Sequence, residues 1–374
     1  MKIATITCQH VYNYGATLQA YALQSYLESL GHEAEIIDYR LPTHMRYEIF
    51  TPYPQGRIYE AVKKFPLLRY VVCPYRNRMM WLTWGRKKAF DAFDARYLHL
   101  SSRIYRSIEE LRQDPPRADI YVAGSDQIWN TFSENGRSPA YYLDFGQNVK
   151  RVAYAASLAT PEIAPGWEHF VRGEVSKFDA VSVREKTGVE LLQRLGIGDV
   201  RQVLDPVFLL PREKWQRMAD MAKRYNKIKG PYVFLYDFLG NDNEIRRFAK
   251  SFSESNGYKI VSVNDFARRD YADININDAG PLEFLSLLSG AQCVISNSFH
   301  ATAFSVIFQK DFYTFGLVGH HNSSRMTDFL SGLGLGGRYN PQSMPGSDLD
   351  YVKASGLLEE QIDESKAFLK SAVQ

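Results

Sequence analysis

One histidine stands where the sequence changes from a buried strand to a helix. Residues 293–295 form an apolar run, small polar residues follow at 296–298, and His300 stands at the start of a helical pattern that continues to residue 308. In an open α/β sheet such a turn lies at the carboxyl edge, where ligands bind. A histidine there, near a helix N-terminus, can move protons near neutral pH. We therefore predict a catalytic role for His300; a structural histidine that caps the helix is the alternative.

Two other junctions between a strand and a turn carry polar side chains that suit a ligand. One of them brings together four hydrogen-bonding side chains, and from it we assign Asp126, Gln127 and Asn130 to ligand binding. At the other, Asn13 and Gly15 precede a helix. The glycine allows a close backbone approach, and the exposed amides can hold an anion. An asparagine cap with a turn glycine is the alternative for this pair.

Two arginines are candidates for binding a phosphate or carboxylate group. Arg184 ends a strand, where its guanidinium can form a bidentate clamp on such a group. Pairing with Glu185 or Asp205 is the alternative. Arg325 follows small residues at 322–324, which allow an anion to approach, although an ordinary surface arginine would fit the same pattern. Together they predict a site for an anionic ligand.

Composition narrows the class of protein. The chain has 374 residues, of which 45% are apolar and 14% aromatic, and this is enough for the cores of two domains. Its cysteines lack the spacing of a zinc site, so we predict free buried thiols at Cys8, Cys73 and Cys293. The adjacent His320 and His321 make a poor metal pair, and we predict no metal. No signal peptide or membrane span is recognisable, and we expect a cytoplasmic protein.

The net charge of +3 is unevenly distributed. Residues 41–100 contain 11 Lys or Arg against four acids, and between 65 and 88 aromatic residues alternate with cations. This pattern suits an anionic surface such as the inner face of the cell membrane. Helices with an aromatic face packed inward and solvated cations are the alternative. Because no RNA- or DNA-binding motif accompanies the charge, we predict no nucleic-acid partner.

Alternating strand and helix patterns must position these residues. The chain opens with a strand at 3–7, a helix at 17–30 and a strand at 33–38, which form a βαβ unit. Later strands are predicted at 119–124, 151–155, 180–184, 232–236, 259–263, 293–296 and 311–315, and a further strand ends at 204–206. Helices are predicted at 186–195, 282–289, 299–308 and 327–333. The fold class is therefore α/β, with two Rossmann-like, doubly wound domains that face a crevice.

Proline and glycine residues between 206 and 230 indicate the domain boundary. We predict an N-terminal domain over 1–210 that carries a basic and aromatic helical insert at about 41–115. A C-terminal domain over 211–345 follows. The last segment, 346–374, is a helical tail, whose amphipathic pattern runs from 357 to 372.

Six blocks of residues are distributed in order along the chain from 12 to 300: 12–24, 123–130, 154–157, 182–185, 203–206 and 298–300. In this order and spacing they resemble the polysaccharide pyruvyl transferase family. The resemblance implies a fold like that of two-domain, GT-B glycosyltransferases. It also implies phosphoenolpyruvate as donor substrate, without a further cofactor. The acceptor would be a sugar with two suitably placed hydroxyls, to which pyruvate becomes joined as a ketal.

The same resemblance implies roles for the candidate residues. His300 would be the general acid that protonates the enol carbon, and Asp126 would orient or deprotonate a sugar hydroxyl. The candidates for donor binding are Arg184, Arg325, Ser298, Asn13 and Gly15. The candidates for acceptor binding are Asp126, Gln127 and Asn130. Many members have an arginine two positions before the motif histidine, whereas this chain has Ser298. Either another cation holds the donor, or the donor differs.

Two other functions remain open. A glycosyltransferase of the same two-domain type would bind a nucleoside diphosphate as part of a nucleotide sugar. A non-catalytic member of the family would bind a glycan precursor and would not need His300. Within the transferase hypothesis, a basic insert near the acceptor side would suit a sugar linked to a lipid diphosphate at the inner face of the membrane.

Overall fold

The computed structural model describes residues 1–41, 74–222, 224–225, 228–238, 243–265, 268–317, 324–341 and 349–374. Between 74 and 82 it describes the backbone alone. Residues 42–73 of the predicted basic insert, which include Cys73, and also His320 and His321 therefore lie outside the described residues. Cys8 and Cys293 are free and buried, as predicted.

Seven parallel strands form the first sheet. In chain order they are β1 (Lys2–Ile6), β2 (Glu33–Tyr39), β3 (Leu100–Tyr105), β4 (Ile120–Ala123), β5 (Lys150–Ala156), β6 (Ala180–Val183) and β7 (Val200–Gln202). Their order in the sheet is β3-β2-β1-β4-β5-β6-β7. The strand order reverses between β1 and β4, and at such a switch point the loops that follow the two strands diverge to leave a crevice.

Five parallel strands form the second sheet. They are β8 (Tyr232–Tyr236), β9 (Lys259–Val263), β10 (Ile274–Ile276), β11 (Cys293–Ser296) and β12 (Asp311–Thr314). The order β10-β9-β8-β11-β12 places a second switch point between β8 and β11. The predicted α/β fold with two doubly wound parallel sheets is confirmed.

Helices connect and cover these strands. In chain order they are α1 (Tyr14–Ser29), α2 (Pro74–Tyr97), α3 (Ile108–Gln113), α4 (Glu168–Val175), α5 (Lys186–Arg194), α6 (Arg212–Asp220), α7 (Asn243–Asn256), α8 (Pro281–Ser289), α9 (Phe299–Ile307), α10 (Ser324–Gly332) and α11 (Tyr351–Ala372). No helix in the described part of the chain combines the length and the apolar character needed to cross a membrane.

The structure differs from the sequence prediction in several segments, and it contains the helices α4 and α7, which the sequence analysis does not predict. The predicted insert at 41–115 contains β3, which pairs with β2 and so belongs to the first sheet. This strand was missed because it is a partly exposed edge strand with a polar sequence. The short edge strand β10 was missed as well. The predicted linker at 206–230 contains α6, whose Trp215 is fully buried.

Contacts between α1, α2 and the second sheet hold the two halves of the molecule together. The Tyr14 ring stacks on Phe284, with centroids 4.4 Å apart, and its hydroxyl donates to the Ala279 carbonyl at 3.0 Å. Arg86 forms an ion pair with Asp265, and its guanidinium lies 4.7 Å from the centre of the Tyr14 ring. Arg86 belongs to the predicted basic stretch, yet its side chain is only 3% exposed. At this position the cation contacts the protein interior, as the packing alternative expects.

The last helix returns to the first sheet. Leu204, just after β7, donates its backbone N–H to Ser365 Oγ at 2.9 Å, and the rings of Tyr154 and Phe368 lie 6.5 Å apart. The helix α11 begins at Tyr351, six residues before the predicted amphipathic pattern. Because α11 follows the second sheet in sequence and packs on the first, it links the two halves a second time.

Candidate active site

A cavity of about 400 Å³ lies between the carboxyl edges of the two sheets. We call it the cleft. Residues that follow β1 and β4 contribute one wall, and residues that follow β8, β11 and β12 contribute the other. Its lining consists of Cys8, Val11, Asn13, Ala16, Asp126, Gln127, Asn135, Phe238, Asn297, Ser298, Phe299, His300, Leu317 and Arg325. The cleft thus uses the switch points of both sheets, where such folds bind ligands.

The first turn of α9 presents His300 to this cleft. Ser298 caps the helix, and its hydroxyl accepts from the Ala301 N–H at 3.4 Å. The imidazole is almost fully buried and packs directly on Gly15, at the start of α1. A Cβ atom at position 15 would lie 1.9 Å from His300 Nδ1. The φ of Gly15 is not positive, so backbone conformation does not explain the glycine at this position. Glycine is needed here because any side chain would take the room of the imidazole ring.

Asp205 lies on the other side of the His300 ring. Its Oδ2 is 3.3 Å from His300 Nε2, and its side chain is fully buried. The same carboxylate accepts from Ser125 Oγ at 3.2 Å and from the Val207 N–H at 3.1 Å. Burial alone would raise the pKa of Asp205, but His300 and then Arg184 outweigh it and hold that pKa below its ordinary value. An ionised Asp205 can fix the orientation of the imidazole and stabilise its protonated form.

Arg184 lies among three carboxylates. It donates to Asp205, and its other nitrogens lie 3.8 Å from Asp126 and 3.9 Å from Glu185. Pairing with Asp205, the alternative named above, is therefore present in the structure. Yet among the described residues Arg184 Nε and Nη2 have no hydrogen-bond partner, although the side chain is only 3% exposed. Buried N–H groups without a partner are costly, so these two are suited to a bound anion.

Asp126 turns the chain at the end of β4. Its φ of 76° is in the left-handed region, which aspartate tolerates better than most residues. The backbone carbonyl of Asp126 accepts from Ile128 at 2.8 Å and Ser157 at 3.0 Å, which fixes the turn. As a result, the carboxylate lines the cleft and accepts from the Gln127 N–H at 2.9 Å.

Arg325 reaches the cleft from α10 and contacts the same turn. With the Gln127 amide oxygen facing it, Arg325 donates through Nη1 at 2.8 Å and Nη2 at 3.1 Å. Its guanidinium lies 5.8 Å from the centre of the Phe299 ring, and that of Arg184 lies 4.7 Å from the same centre. Burial, and then the charge of Arg184, lower the pKa of Arg325 to about 10. Arg325 therefore stays charged at neutral pH.

The substitution Asp205→Asn should destabilise the protein by about 3–5 kcal/mol at neutral pH, because Arg184 would keep a buried charge without its partner. The folded-state pKa of Asp205 lies below its unfolded value of about 3.9. Its carboxylate therefore adds stability above that pH, and this stability is lost as the pH falls through the folded pKa. Urea unfolding at several pH values measures both effects. A variant with wild-type stability and an unchanged loss below about pH 4 would contradict them.

The sequence comparison decides the family. Residues 13–317 match the family model for polysaccharide pyruvyl transferase. The chain belongs to this family. Membership makes the protein a transferase. No curated protein sequence matches the chain.

Several solved structures are similar to this polysaccharide pyruvyl transferase family member at low sequence identity. The UDP-GlcNAc 2-epimerase from Neisseria meningitidis bound to UDP-GlcNAc has 12% identity and a TM-score of 0.48. The match covers 100% of this chain and 94% of the epimerase chain. The Methanocaldococcus jannaschii UDP-GlcNAc 2-epimerase in complex with UDP-GlcNAc and UDP has 13% identity and a TM-score of 0.46. The match covers 98% of this chain and 94% of that epimerase chain. The glycosyltransferase SnogD from Streptomyces nogalater has 13% identity and a TM-score of 0.42. The match covers 100% of this chain and 99% of the glycosyltransferase chain.

In this family member the cleft brings together most of the residues singled out in the sequence. Asn13, Asp126, Gln127, Ser298, His300 and Arg325 all line it. Gly15 contacts the His300 ring, and Arg184 lies behind the cleft. Asn130 is not among the lining residues; its side chain accepts from the Phe132 N–H at 3.1 Å within its own turn. Asn13 accepts from the Ala16 N–H at 3.1 Å, so it also caps α1.

Two features of the site were not predicted from the sequence. Asp205 belongs to the block 203–206 and is named in the sequence analysis as a possible partner of Arg184, but its contact with His300 is not predicted there. Phe299 was not assigned a role, although both guanidinium groups lie over its ring. The signal for Asp205 was available, because an acidic residue followed by proline just after a strand of a parallel sheet lies at the ligand-binding edge.

Proposed function

We propose that the protein transfers pyruvate from phosphoenolpyruvate to two hydroxyls of a sugar during the synthesis of a surface polysaccharide. The observation that carries this proposal is the arrangement of His300, Asp205 and Arg184. A histidine in the cleft is backed by a buried carboxylate, beside a buried guanidinium of which two nitrogens have no hydrogen-bond partner in the described part of the chain. The family of the chain supplies the reaction class, and this arrangement supplies the acid and the anion site that the reaction needs.

The reaction assigns each group a task. His300 donates a proton to C3 of phosphoenolpyruvate, which becomes a methyl group and leaves C2 electrophilic. One sugar hydroxyl then attacks C2 and loses its proton to a base, for which we propose Asp126. The bond between C2 and the phosphate oxygen breaks, and phosphate leaves with the electron pair. The second hydroxyl forms the other C–O bond of the ketal, and its proton leaves on phosphate or solvent.

Arg325 is the cation that we propose in place of the arginine expected at position 298. It lines the cleft beside Ser298 and Phe299. Its pKa of about 10 keeps it charged, and a planar guanidinium can bind a phosphate or carboxylate through two parallel hydrogen bonds. A family member that carries serine at 298 could therefore still bind the doubly anionic donor.

Removal of either arginine should weaken donor binding more than it slows chemistry. For Arg184→Ala and Arg325→Ala we expect the KM for phosphoenolpyruvate to rise about 10-fold to 100-fold, because a charge-assisted hydrogen bond contributes roughly 1.5–3 kcal/mol. Arg325→Lys should recover only part of the loss, since lysine lacks the planar fork. Steady-state kinetics with varied phosphoenolpyruvate test this. An unchanged KM in both alanine variants would move the donor site elsewhere.

The decisive experiment incubates the protein with phosphoenolpyruvate and a panel of lipid-linked and nitrophenyl sugars. Phosphate release, together with a mass gain of one pyruvate ketal on the sugar, would support the proposal. Consumption of a nucleotide sugar with release of a nucleoside diphosphate would instead identify a glycosyltransferase. If the protein binds a glycan but consumes neither donor, it is the non-catalytic alternative.

We propose further that the acceptor is linked to a lipid diphosphate and that the basic stretch approaches an anionic membrane surface. Arg86 is unsuited to that contact, because it is buried against Asp265, whereas Lys88 is exposed. Changing Arg76, Arg78 and Lys88 together to Gln should weaken binding to anionic vesicles at low salt, by about 1 kcal/mol per cation.

Vesicle sedimentation at low and high salt measures this effect, because salt screens such charges. Neutral vesicles are the control and should bind poorly. Turnover of a lipid-linked acceptor should fall in the triple variant, while turnover of a soluble sugar analogue should not. Equal binding of anionic vesicles by the variant and the wild type would contradict the membrane contact.

A further inference from the structure

An aromatic residue just after β8 lines the cleft on the wall that the second sheet contributes. This residue, Phe238, is half-buried. Among the described residues that line the cleft, the other aromatic one is Phe299, whose ring is buried and lies beneath the guanidinium groups of Arg184 and Arg325. Of these two rings, that of Phe238 is therefore the one that a ligand in the cleft can cover.

The side-chain amide of Asn297 fixes the backbone of Phe238. Its Oδ1 accepts from the Phe238 N–H at 2.7 Å, and its Nδ2 donates to the Phe238 carbonyl at 3.1 Å. The same Nδ2 donates to Asp237 Oδ1 at 3.1 Å, and Asn297 is almost fully buried. Both backbone polar groups of Phe238 are thus used within the protein, which leaves its ring to contact a ligand. Because this backbone is already fixed, little conformational entropy is lost when a ligand covers the ring.

The cleft combines hydrogen-bonding groups with apolar surface. From the first sheet it is lined by a carboxylate and two amides, those of Asp126, Gln127 and Asn135. From the second sheet it is lined by Phe238 and Leu317, which are both half-buried. Carboxylate and amide groups exchange hydrogen bonds with neutral hydroxyls, whereas apolar side chains remove C–H groups from water. Such a lining fits a ligand that has hydroxyls along its edge and an apolar face.

A pyranose ring is a ligand of this kind. Its hydroxyls lie around the rim of the ring, and the C–H bonds on a face form a small apolar patch. The hydrogens of these bonds carry a slight positive charge, and the face of an aromatic ring is negative. A sugar face and a phenylalanine ring therefore attract each other both by the hydrophobic effect and by electrostatics.

We propose that Phe238 binds the acceptor sugar by stacking on the C–H face of its ring, with the hydroxyls of one edge directed to Asp126 on the other wall. This inference rests on the proposed function and specifies how the acceptor is held. The stacked face determines which edge of the sugar meets Asp126, and so selects the two hydroxyls that receive the ketal. Because Phe238 moves no proton and binds no anion, its loss acts on the acceptor and spares the donor.

Two substitutions of Phe238 separate its aromatic face from its bulk. Phe238→Leu should raise the KM for the sugar about tenfold, because leucine is apolar but has no flat face. Phe238→Tyr keeps that face and should stay within about twofold of wild type. The KM for phosphoenolpyruvate should not change in either variant. An unchanged KM for the sugar in Phe238→Leu, or an equal rise in both variants, would overturn the inference.

Phe368→Leu is the matched control. Phe368 is also half-buried, and its ring centre lies 6.5 Å from that of Tyr154, just as the ring centre of Phe238 lies 6.5 Å from that of Tyr236. It belongs to α11 and is not among the residues that line the cleft. The control removes the same atoms and should keep the wild-type KM for both substrates. Thermal unfolding of the two leucine variants separates a loss of binding from a loss of fold.

Proton NMR of methyl glycosides, without any donor, separates this inference from the proposed function. Methyl glycosides of common hexoses are used because a nitrophenyl group could itself stack on Phe238. Sugar C–H protons that lie over an aromatic ring shift upfield, so the shift should appear with the wild type and Phe368→Leu and vanish with Phe238→Leu. This result would support the stacked sugar even if phosphoenolpyruvate is not consumed, and the proposed reaction alone would then be wrong. A shift of the base protons of UDP, with none for the sugars, would overturn the inference and favour the glycosyltransferase alternative.

Discussion

His300→Ala should lower kcat by a factor on the order of 10²–10⁴, because a positioned general acid contributes that much to a proton transfer. His300→Gln should lose as much activity, because glutamine cannot deliver a proton to carbon. Its amide can donate a hydrogen bond to Asp205, so the variant tests the acid while keeping a polar contact at that position. Donor binding should persist in both variants, because the proposed donor site uses Arg184 and Arg325. Single-turnover kinetics with saturating phosphoenolpyruvate measure the chemical step directly.

The control for this prediction is His169→Ala, since His169 is exposed on α4 and remote in sequence from every lining residue of the cleft. It should keep full activity. Thermal unfolding of each variant separates loss of chemistry from loss of fold. If His300→Gln retained more than about a tenth of the wild-type kcat, His300 would not be the acid.

The sequence predicted the strands that carry the site because buried parallel strands have a simple pattern. The strand β4 is buried along its whole length, and so is β11, so each begins as an apolar run and leads into polar residues. The polar residues after such runs, Asp126 and His300, could be assigned to one edge because all strands of each sheet are parallel. Edge strands such as β3 lack this pattern, since they are only partly buried.

The contacts within the site could not be predicted in the same way. The contact between Asp205 and His300 joins the end of β7 to the first turn of α9, 95 positions apart in the sequence, and depends on how the two halves pack. The burial of Arg86 has the same origin. Its neighbours in sequence are basic and aromatic, and only the packing of α2 on the second sheet explains why this cation pairs with Asp265.

Gly15 shows why a single residue type at one position can matter as much as the catalytic group. Alanine normally stabilises a helix relative to glycine by roughly 0.5–1 kcal/mol, and Gly15 lies in the first turn of α1. At this position, however, the added Cβ would overlap His300 Nδ1 at 1.9 Å. The imidazole must therefore move by more than an ångström, away from its contact with Asp205 or into the cleft.

Gly15→Ala should accordingly reduce kcat by a factor on the order of 10², the effect of a displacement of about 1 Å in a catalytic group. Gly173→Ala in α4 is the matched control, because among the described residues no atom beyond its chain neighbours and its own helix backbone lies within 4 Å of a Cβ built there, and it should keep wild-type activity and gain slightly in stability. The double variant Gly15→Ala/His300→Ala removes the clash. Its free energy of unfolding should exceed that expected from adding the two single effects, while activity stays at the level of His300→Ala. Additive stabilities, or a Gly15→Ala enzyme as active as wild type, would show that the ring is free to move and that its position against Gly15 is not required for catalysis.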